Sequence, residues 1–589
     1  MGEITVAEGI AKTLEKMGVE YLFGVNGHGN WAILDAVVHR TKIKGIPGRN
    51  EDQSVQMADG YWRMRRGPPL PVVSTSVGPG NLNTIPALAG AFYESVAMLL
   101  LAGSGPTHWF DRGGVQESYR YGPEEWTQVA KPVTKKASMV VRPDTAIASL
   151  LRACRLAISG RPGPVVLQVP FDIQHAKIPD ELPDPSAWLE WRPPAPDRAG
   201  LAEALNLLQR AKRPLVVVGS GIHNARAWKA LQHFAELADA PVAMTSTGKG
   251  AFPETHRLSL GSIGRAGTGQ ANEAGRRCDL LLAFGTHFTE IDTAGWSLYD
   301  IPGKTKLVHF DIDPSELCRI YPTELPMVCD ANAALEALTT GLAGAQIEHT
   351  DWHNEIAAIR KEWEKSTAAL VNSNNTPMHY ARICRDTGVV VSEMDPEMPV
   401  LVDTGHLLSF APPFLRTSSR YFAHSGFFHR MGWSASAAIG ASLAMGKRRT
   451  LAMIGDGSFM MGGTSLATAF EQHLPITCVV LNNGTLQVER ESMVRIYGNE
   501  SFCDYVDTAS GKIWNPDFCK WAESMGARAI KVTEPDQYAP ALRKALESGV
   551  PFVVDVDIDL NTPGYRPVWT PYPSRHEESW SPKAVLAHR

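Results

Sequence analysis

The 589-residue chain carries 57 Lys+Arg against 62 Asp+Glu, a formal net charge of −5, and is 44% hydrophobic and 20% charged. This composition fits a folded globular protein of about three or four domains. It argues against nucleic acid as a partner, because no basic block is present, and against a membrane span, because apolar runs such as Val96–Ala102 are too short. The N-terminal MGEITVAEGIAKTLEKMG carries charge early and lacks an apolar centre, so no secretory signal is expected. Eight cysteines, none at CxxC spacing, suit reduced thiols, and a cytoplasmic location is expected.

Short apolar runs alternate with helical patterns in three segments, which predicts an α/β fold class: three doubly wound parallel-sheet domains. The first, 1–180, has strand candidates at Tyr21–Val25, Pro71–Ser74, Ala97–Ala102 and Val165–Val169. In it, GVNGHGNW puts His28 on a tight strand-to-helix turn, with Asn30 placed to cap the helix starting at Trp31. Further on, Asn50-Glu51-Asp52 reads as a helix start, Asn50 as cap and the two acids in the first turn, where the helix dipole favours them. A Pro- and Trp-rich linker, Pro179–Asp197, leads to the second segment, 198–345, with strands at Pro214–Val218, Pro241–Met244, Leu280–Phe284 and Lys306–Phe310. Its Gly219-Ser220-Gly221 is half a dinucleotide fingerprint, with Asn224 where the third glycine would stand. After a charged helical stretch around Asp351–Lys365, the third segment, 370–562, has strands at Val400–Asp403, Thr450–Ile454, Thr477–Leu481 and Phe552–Val556. Residues 563–589 read as an irregular tail.

The third segment carries the clearest chemistry. Gly455-Asp456-Gly457-Ser458 follows one apolar run, and Asn482-Asn483 ends the next, 27 residues on from Asp456 to Asn483. That spacing holds a strand end, a helix and a strand, so both side chains emerge at the same carboxyl edge of a parallel sheet, where ligands of such sheets bind. A carboxylate and an amide oxygen are hard ligands suited to Mg²⁺, which completes its octahedron with phosphate oxygens and water. The glycines admit a diphosphate, and the following helix offers free N–H groups.

This GDG…NN pattern resembles the signature of thiamine diphosphate (ThDP) enzymes of the acetolactate synthase/2-oxo acid decarboxylase superfamily. The resemblance implies a pyrimidine-binding, a central and a diphosphate-binding domain, with Asp456, Asn483 and the Thr485 carbonyl as Mg²⁺ ligands. GRNEDQSVQMADGYWR is similar to the family segment that carries the activating glutamate, here Glu51, although Asn50 replaces the usual His. That glutamate hydrogen-bonds N1′ of the aminopyrimidine and promotes loss of the thiazolium C2 proton. Ser76 in SVGPGN resembles the family's SGPG loop, and Gln116 in GGVQES resembles its substrate-side glutamine. Met431 aligns with the residue that bends the cofactor, and the His429 carbonyl with the acceptor for its 4′-amino group. Because the family builds each site from two subunits, a homodimer at minimum is implied, with a homotetramer expected.

The second segment resembles the FAD-binding central domain of acetolactate synthases through TSTGKGAFP, GSIGRAGTGQAN, FGTHFTEIDT, FDID and Cys329-Asp330-Ala331. Carried over, the flavin residues are Arg161, Gly219, Gly221, Thr245, Gly264, Gly285, Asp311, Ile312, Asp330 and Ala331. His287 and Thr289 depart from that pattern. For the substrate, the GHGN loop resembles the ThDP hydrolases that open alicyclic 1,2-diketones. It implies C–C bond hydrolysis of a small-molecule diketone, cyclohexane-1,2-dione to 6-oxohexanoate, with His28 assisting water and Gln116 orienting the substrate. An acetolactate synthase-like carboligase or 2-oxo acid decarboxylase uses the same cofactor residues and is the alternative.

Overall fold

Apolar runs without polar alternation need cover on both faces, and helices supply it in each of the three segments. The computed structural model describes residues 2–117 and 125–567. It contains three six-stranded sheets, all parallel. The first runs, edge to edge, Lys44–Pro47, Tyr21–Gly24, Val72–Thr75, Met98–Ser104, Pro164–Pro170 and Lys136–Met139. The third has the same order of connections: Phe422–His424, Val400–Val402, Thr450–Gly455, Ile476–Asn482, Phe552–Asp557 and Arg528–Val532. The central sheet differs: Ser259–Ser262, Val242–Met244, Pro214–Val218, Leu280–Phe284, Lys306–Asp311 and Leu325–Val328. Its strand order reverses between Pro214–Val218 and Leu280–Phe284, the crevice where doubly wound sheets bind dinucleotides.

The first and third sheets are joined by helix packing. Helix Glu51–Arg65 lies against helix Trp433–Ala444 so closely that glycine is required at the crossing. A Cβ on Gly60 would overlap the Ala437 carbonyl, and one on Gly440 the Met57 carbonyl. Because backbone cannot yield as a side chain can, Gly440→Val is expected to destabilise the fold by about 3 kcal/mol or more. A thermal or urea melt checks this, and a midpoint within error of wild type would contradict the close crossing. The pair encloses a shared core that includes Val55, Met57, Ala437 and Ile454.

Asn30 departs from expectation. It occupies the N-cap position of helix Trp31–Arg40, but its side chain makes no cap bond. Oδ1 instead accepts from the Gly27 N–H at 3.1 Å, and Nδ2 donates to the Val25 carbonyl and Ser74 Oγ, both at 3.1 Å. Its amide braces the His28 loop rather than the helix. From residue 568 on, the expected irregular tail lies outside the described residues. Among the described residues, no helix is long and apolar enough to cross a membrane.

Candidate active site

In the third sheet, Thr450–Gly455 and Ile476–Asn482 are adjacent and parallel, with Gly455 opposite Leu481. Asp456 and Asn483 therefore leave neighbouring strand ends together, as the spacing predicts. Asp456 opens helix Asp456–Gly462. Its Oδ1 accepts from the Gly457 N–H at 2.7 Å; its Oδ2 accepts from the N–H groups of Asn483 (3.0 Å) and Gly484 (2.7 Å) and from Asn515 Nδ2 (2.8 Å). Burial raises its carboxyl pKa, while the Asn515 amide and these backbone donors pull it back towards the ionised form. Asn483 donates Nδ2 to Gln487 Oε1 at 2.5 Å and Tyr380 Oη at 3.2 Å, which turns its Oδ1 the other way, towards the Thr485 N–H.

Two buried polar atoms beside this pair, Thr485 Oγ1 and Asn515 Oδ1, have no partner. The Thr485 hydroxyl shares a cavity with the Asp456 carboxylate and the Asn483 amide, and such oxygens suit a hard divalent cation. Together with the glycine-lined approach at Gly455 and Gly457, the residues present fit Mg²⁺ and a diphosphate. The cavity they line measures about 880 Å³ and also reaches Ser458, Thr485, His429 and Met431.

The turn that carries His429 and Met431 is held by Asp403, whose buried carboxylate accepts from the N–H groups of Gly432 (3.1 Å), Ser434 (2.7 Å) and Thr404 (3.0 Å). His429 itself adopts left-handed backbone (φ 53°), a conformation costly for a side chain with a Cβ and concentrated at functional sites. Its ring Nδ1 lies 2.8 Å from Thr404 Oγ1, and burial, helped by the Arg265 charge, drops its pKa to about 4, so it is neutral at pH 7.

The pyrimidine-side residues assemble on the first sheet through glycines. A Cβ on Gly27 would overlap Ser76 Oγ, and one on Gly78 would overlap the Gln116 carbonyl. One on Gly80 would stand 3.1 Å from Glu51 Oε1. The His28 loop, Ser76, Gln116 and Glu51 thus form one patch. The Gly29 N–H donates to Ser76 Oγ at 3.2 Å, and Asn83 Nδ2 donates to Glu51 Oε2 at 3.0 Å. The helix-start reading of this segment also holds, since Asn50 Oδ1 accepts from the Asp52 N–H at 2.8 Å. Gln116, like His429, has left-handed backbone (φ 61°). His28 Nε2 is buried without a partner. Beside Gln116, burial raises the Glu117 carboxyl to about 7, against the pull of the Gly105 N–H. None of Glu51, His28, Ser76 or Gln116 lines the cavity of Asp456.

Most of the expected flavin residues line a second cavity of about 510 Å³: Arg161, Gly221, Gly285, Asp311, Ile312, Asp330 and Ala331. Gly219 abuts it, since a Cβ there would overlap the Gly285 carbonyl. Arg161 and His287 line both cavities, so the two spaces adjoin. Asp311 ends its strand in the crevice, its carboxyl raised to about 6 by burial. Asp330 also has a structural task, capping helix Ala331–Gly341 through the Ala333 N–H at 3.0 Å. Thr245 and Gly264, like Gly219, line neither cavity. The Thr245 hydroxyl turns back to the Gly248 N–H, and Gly264 is packed against the Ile291 carbonyl, leaving Ser246, Thr247 and Arg265 on the wall. His287 pairs with Glu316 at 3.1 Å. Burial alone would raise the Glu316 carboxyl, but His287, Arg319 and Arg161 hold it down at about 2.

Asn515, Tyr380, Gln487 and Asp403 escaped the sequence reading. Gln487 carried a signal, lying four residues beyond Asn483; Asn515 and Tyr380, far away in the chain, carried none.

The chain matches the thiamine pyrophosphate enzyme family in three parts: the N-terminal TPP binding domain over residues 4–122, the central domain over 201–338 and the C-terminal TPP binding domain over 403–556. It is 31% identical over 562 residues to the probable acetolactate synthase large subunit of Methanocaldococcus jannaschii, covering 94% of this chain and 92% of that one. It is 30% identical to the acetolactate synthase large subunit of Corynebacterium glutamicum, over 94% of this chain and 86% of that one. The isozyme 3 large subunit of Escherichia coli is 29% identical, over 93% of each chain. With three parallel sheets and GDG…NN at the carboxyl edge of the third, the chain belongs to the thiamine pyrophosphate enzyme family.

Proposed function

We propose that the chain is a carboligase or decarboxylase of 2-oxo acids, of acetolactate synthase type, working with ThDP and Mg²⁺. The observation that carries this reading is end-to-end similarity to proteins named acetolactate synthase, in a chain that keeps Glu51, Asp456 and Asn483 in place. Asp456, Asn483 and Thr485 would hold the metal, and Gly455, Gly457 and Ser458 the diphosphate. Bound there, ThDP supplies an electron sink for the carbanion left when a bond beside a carbonyl breaks. The chain's own tasks are to keep Met431 and the His429 carbonyl rigid through Asp403, to hold a proton at the Glu51 carboxyl, and to present Gln116 to the substrate.

The separation of the Glu51 patch from the Asp456 cavity supports a site completed by a second copy of the chain, and hence a homodimer or larger assembly. FAD is proposed for the adjoining cavities, where Asp311, Gly221 and the neighbouring Gly219 would help hold it. The third-glycine position, Asn224, lines the same space. Purified protein is then expected to be yellow and to release flavin on denaturation. Colourless protein that takes up no FAD on dialysis would rule this out.

Ring opening of a cyclic diketone finds no support among the relatives' names. It stays as a second reading because the partnerless His28 Nε2 is available to a water or a substrate oxygen. Product analysis with pyruvate and with cyclohexane-1,2-dione decides between the two. We expect CO₂ and a condensed hydroxy-oxo acid from pyruvate. Formation of 6-oxohexanoate, abolished in His28→Ala, without turnover of pyruvate, would reverse the assignment.

A further inference from the structure

The second cavity holds a buried positive charge that the fold leaves unbalanced. Helix Glu51–Arg65 ends at Arg66, which has left-handed backbone (φ 52°) and closes the last turn by donating its N–H to the Trp62 carbonyl at 2.6 Å. Arg66 is only 7% exposed and lines the cavity. Its Nη1 donates to Asn224 Oδ1 at 3.0 Å, while its Nε is buried without a partner. Trp62, one turn earlier on the same helix and 4% exposed, lines the same cavity, and its indole N–H is also partnerless.

The acids nearby are committed elsewhere. Asp59 pairs with Arg63 at 2.5 Å, and Glu94 accepts from the Phe427 N–H at 2.6 Å. Arg161, the other arginine of this cavity, has Glu316 at 3.2 Å. Of the acids on the cavity wall, Asp330 caps its helix and Asp311 accepts from the Asp313 N–H at 2.9 Å. Among the described residues Arg66 stands in no ion pair. Burial pulls its pKa down to about 9 and the Arg63 charge adds to the fall, with Asp59 and Glu94 offsetting only part. A buried guanidinium with a bare N–H keeps its desolvation penalty, which an anion in the cavity would relieve.

The position of Arg66 points to the kind of anion. Its one side-chain partner, Asn224, stands where the third glycine would follow Gly219-Ser220-Gly221. In dinucleotide-binding sheets this strand-to-helix turn passes beside the diphosphate, and its glycines let the backbone approach. Gly221 and Gly285 line the same cavity without side chains to bar that approach. The planar fork of arginine matches phosphate oxygens, and an N–H left free by the protein is available to them.

We propose that Arg66, steadied by Asn224, binds the diphosphate of the nucleotide in the second cavity, so that the first domain supplies a phosphate ligand to the central one. The identity of that nucleotide rests on the FAD reading above.

The test uses the full-length protein freed of bound nucleotide, with calorimetric titration of ADP, adenosine and FAD. Wild type is expected to bind ADP at least about 10-fold more tightly than adenosine, the scale of a hydrogen bond to a charged group. Arg66→Gln is expected to bring the two within about threefold, to leave adenosine binding unchanged and to weaken FAD at least about 10-fold. Arg66→Lys keeps the charge without the fork and is expected to restore part of the preference. Because Gln removes a charge that no carboxylate balances, the unliganded variant is expected to melt no lower than wild type. Wild type that binds ADP no better than adenosine overturns the assignment, and so does an ADP preference that survives in Arg66→Gln. A lowered melting midpoint with that preference intact marks Arg66 as structural and refutes it. ADP binding that depends on Arg66, without uptake of FAD, supports the assignment while rejecting flavin as the nucleotide. If Arg66→Gln does not fold, the wild-type ratio and Arg66→Lys decide.

Discussion

Replacing Glu51 by Gln is expected to lower kcat by about 10²–10⁴-fold, the range over which a positioned proton donor or acceptor contributes, while ThDP stays bound. The geometry explains the split. Glu51 is the first residue of its helix, held by Asn83 Nδ2 at 3.0 Å and set against Gly80, so a glutamine of the same size keeps the fold and the local hydrogen bond. What it loses is a carboxyl able to share a proton with the pyrimidine ring. Asp456 and Asn483, proposed to hold the diphosphate and metal, stand on a different sheet and are untouched. Steady-state rates together with a cofactor titration check this. Activity within about threefold of wild type would remove the role given to Glu51.

The second large effect is expected for Asp456→Ala. Its carboxylate is the one formal charge in the donor set beside Asn483 and Thr485, and it collects four donors: three backbone N–H groups and Asn515 Nδ2. Alanine withdraws the charge that draws a divalent ion and leaves those donors unpaired, at about 1–3 kcal/mol for each that stays buried. Loss of a partner outside the ligand shell already costs metal sites about 10–100-fold, so metal-dependent ThDP affinity is expected to fall at least about 100-fold. Activity falls with it and returns only partly at high cofactor concentration. Asp456→Asn separates the two contributions, since it keeps the size and one acceptor oxygen but not the charge.

The division between what sequence reveals and what it hides is visible in the sheets. Every strand read from sequence lies inside its sheet, and each sheet has two further strands, both at its edges. Inner strands such as Met98–Ser104 and Ile476–Asn482 are covered on both faces, which forces an apolar run that stands out from its surroundings. Edge strands are covered less completely and read differently. Lys44–Pro47 is KGIP, Lys136–Met139 is KASM and Arg528–Val532 is RAIKV, each mixing charge or glycine into a short run. Such segments are strands because a neighbour pairs with them, and that neighbour is absent from any local window.

The site divides along the same line. Asp456 and Asn483 were legible because strand–helix–strand spacing converts a distance in sequence into adjacency at one sheet edge. Glu51, Ser76 and Gln116 were legible through their resemblance to family segments, and the glycines at 27, 78 and 80 show why they meet. Asn515 and Asp403 were not: each reaches the site through a fold-level contact without a spacing rule. Asn30 misled because Asn before a helix satisfies the capping rule in either geometry. Only the proximity of Ser74 and the turn at Gly27 decides that its amide braces the loop.

The most direct test of the account substitutes Mn²⁺ for Mg²⁺ and follows its binding by electron paramagnetic resonance, with and without ThDP, in wild type and Asp456→Ala. One tightly bound Mn²⁺ per chain, dependent on ThDP, is expected in wild type, with loss of that signal in the variant. Wild-type protein that binds neither ion nor cofactor, or a variant that binds both as well as wild type, would contradict it.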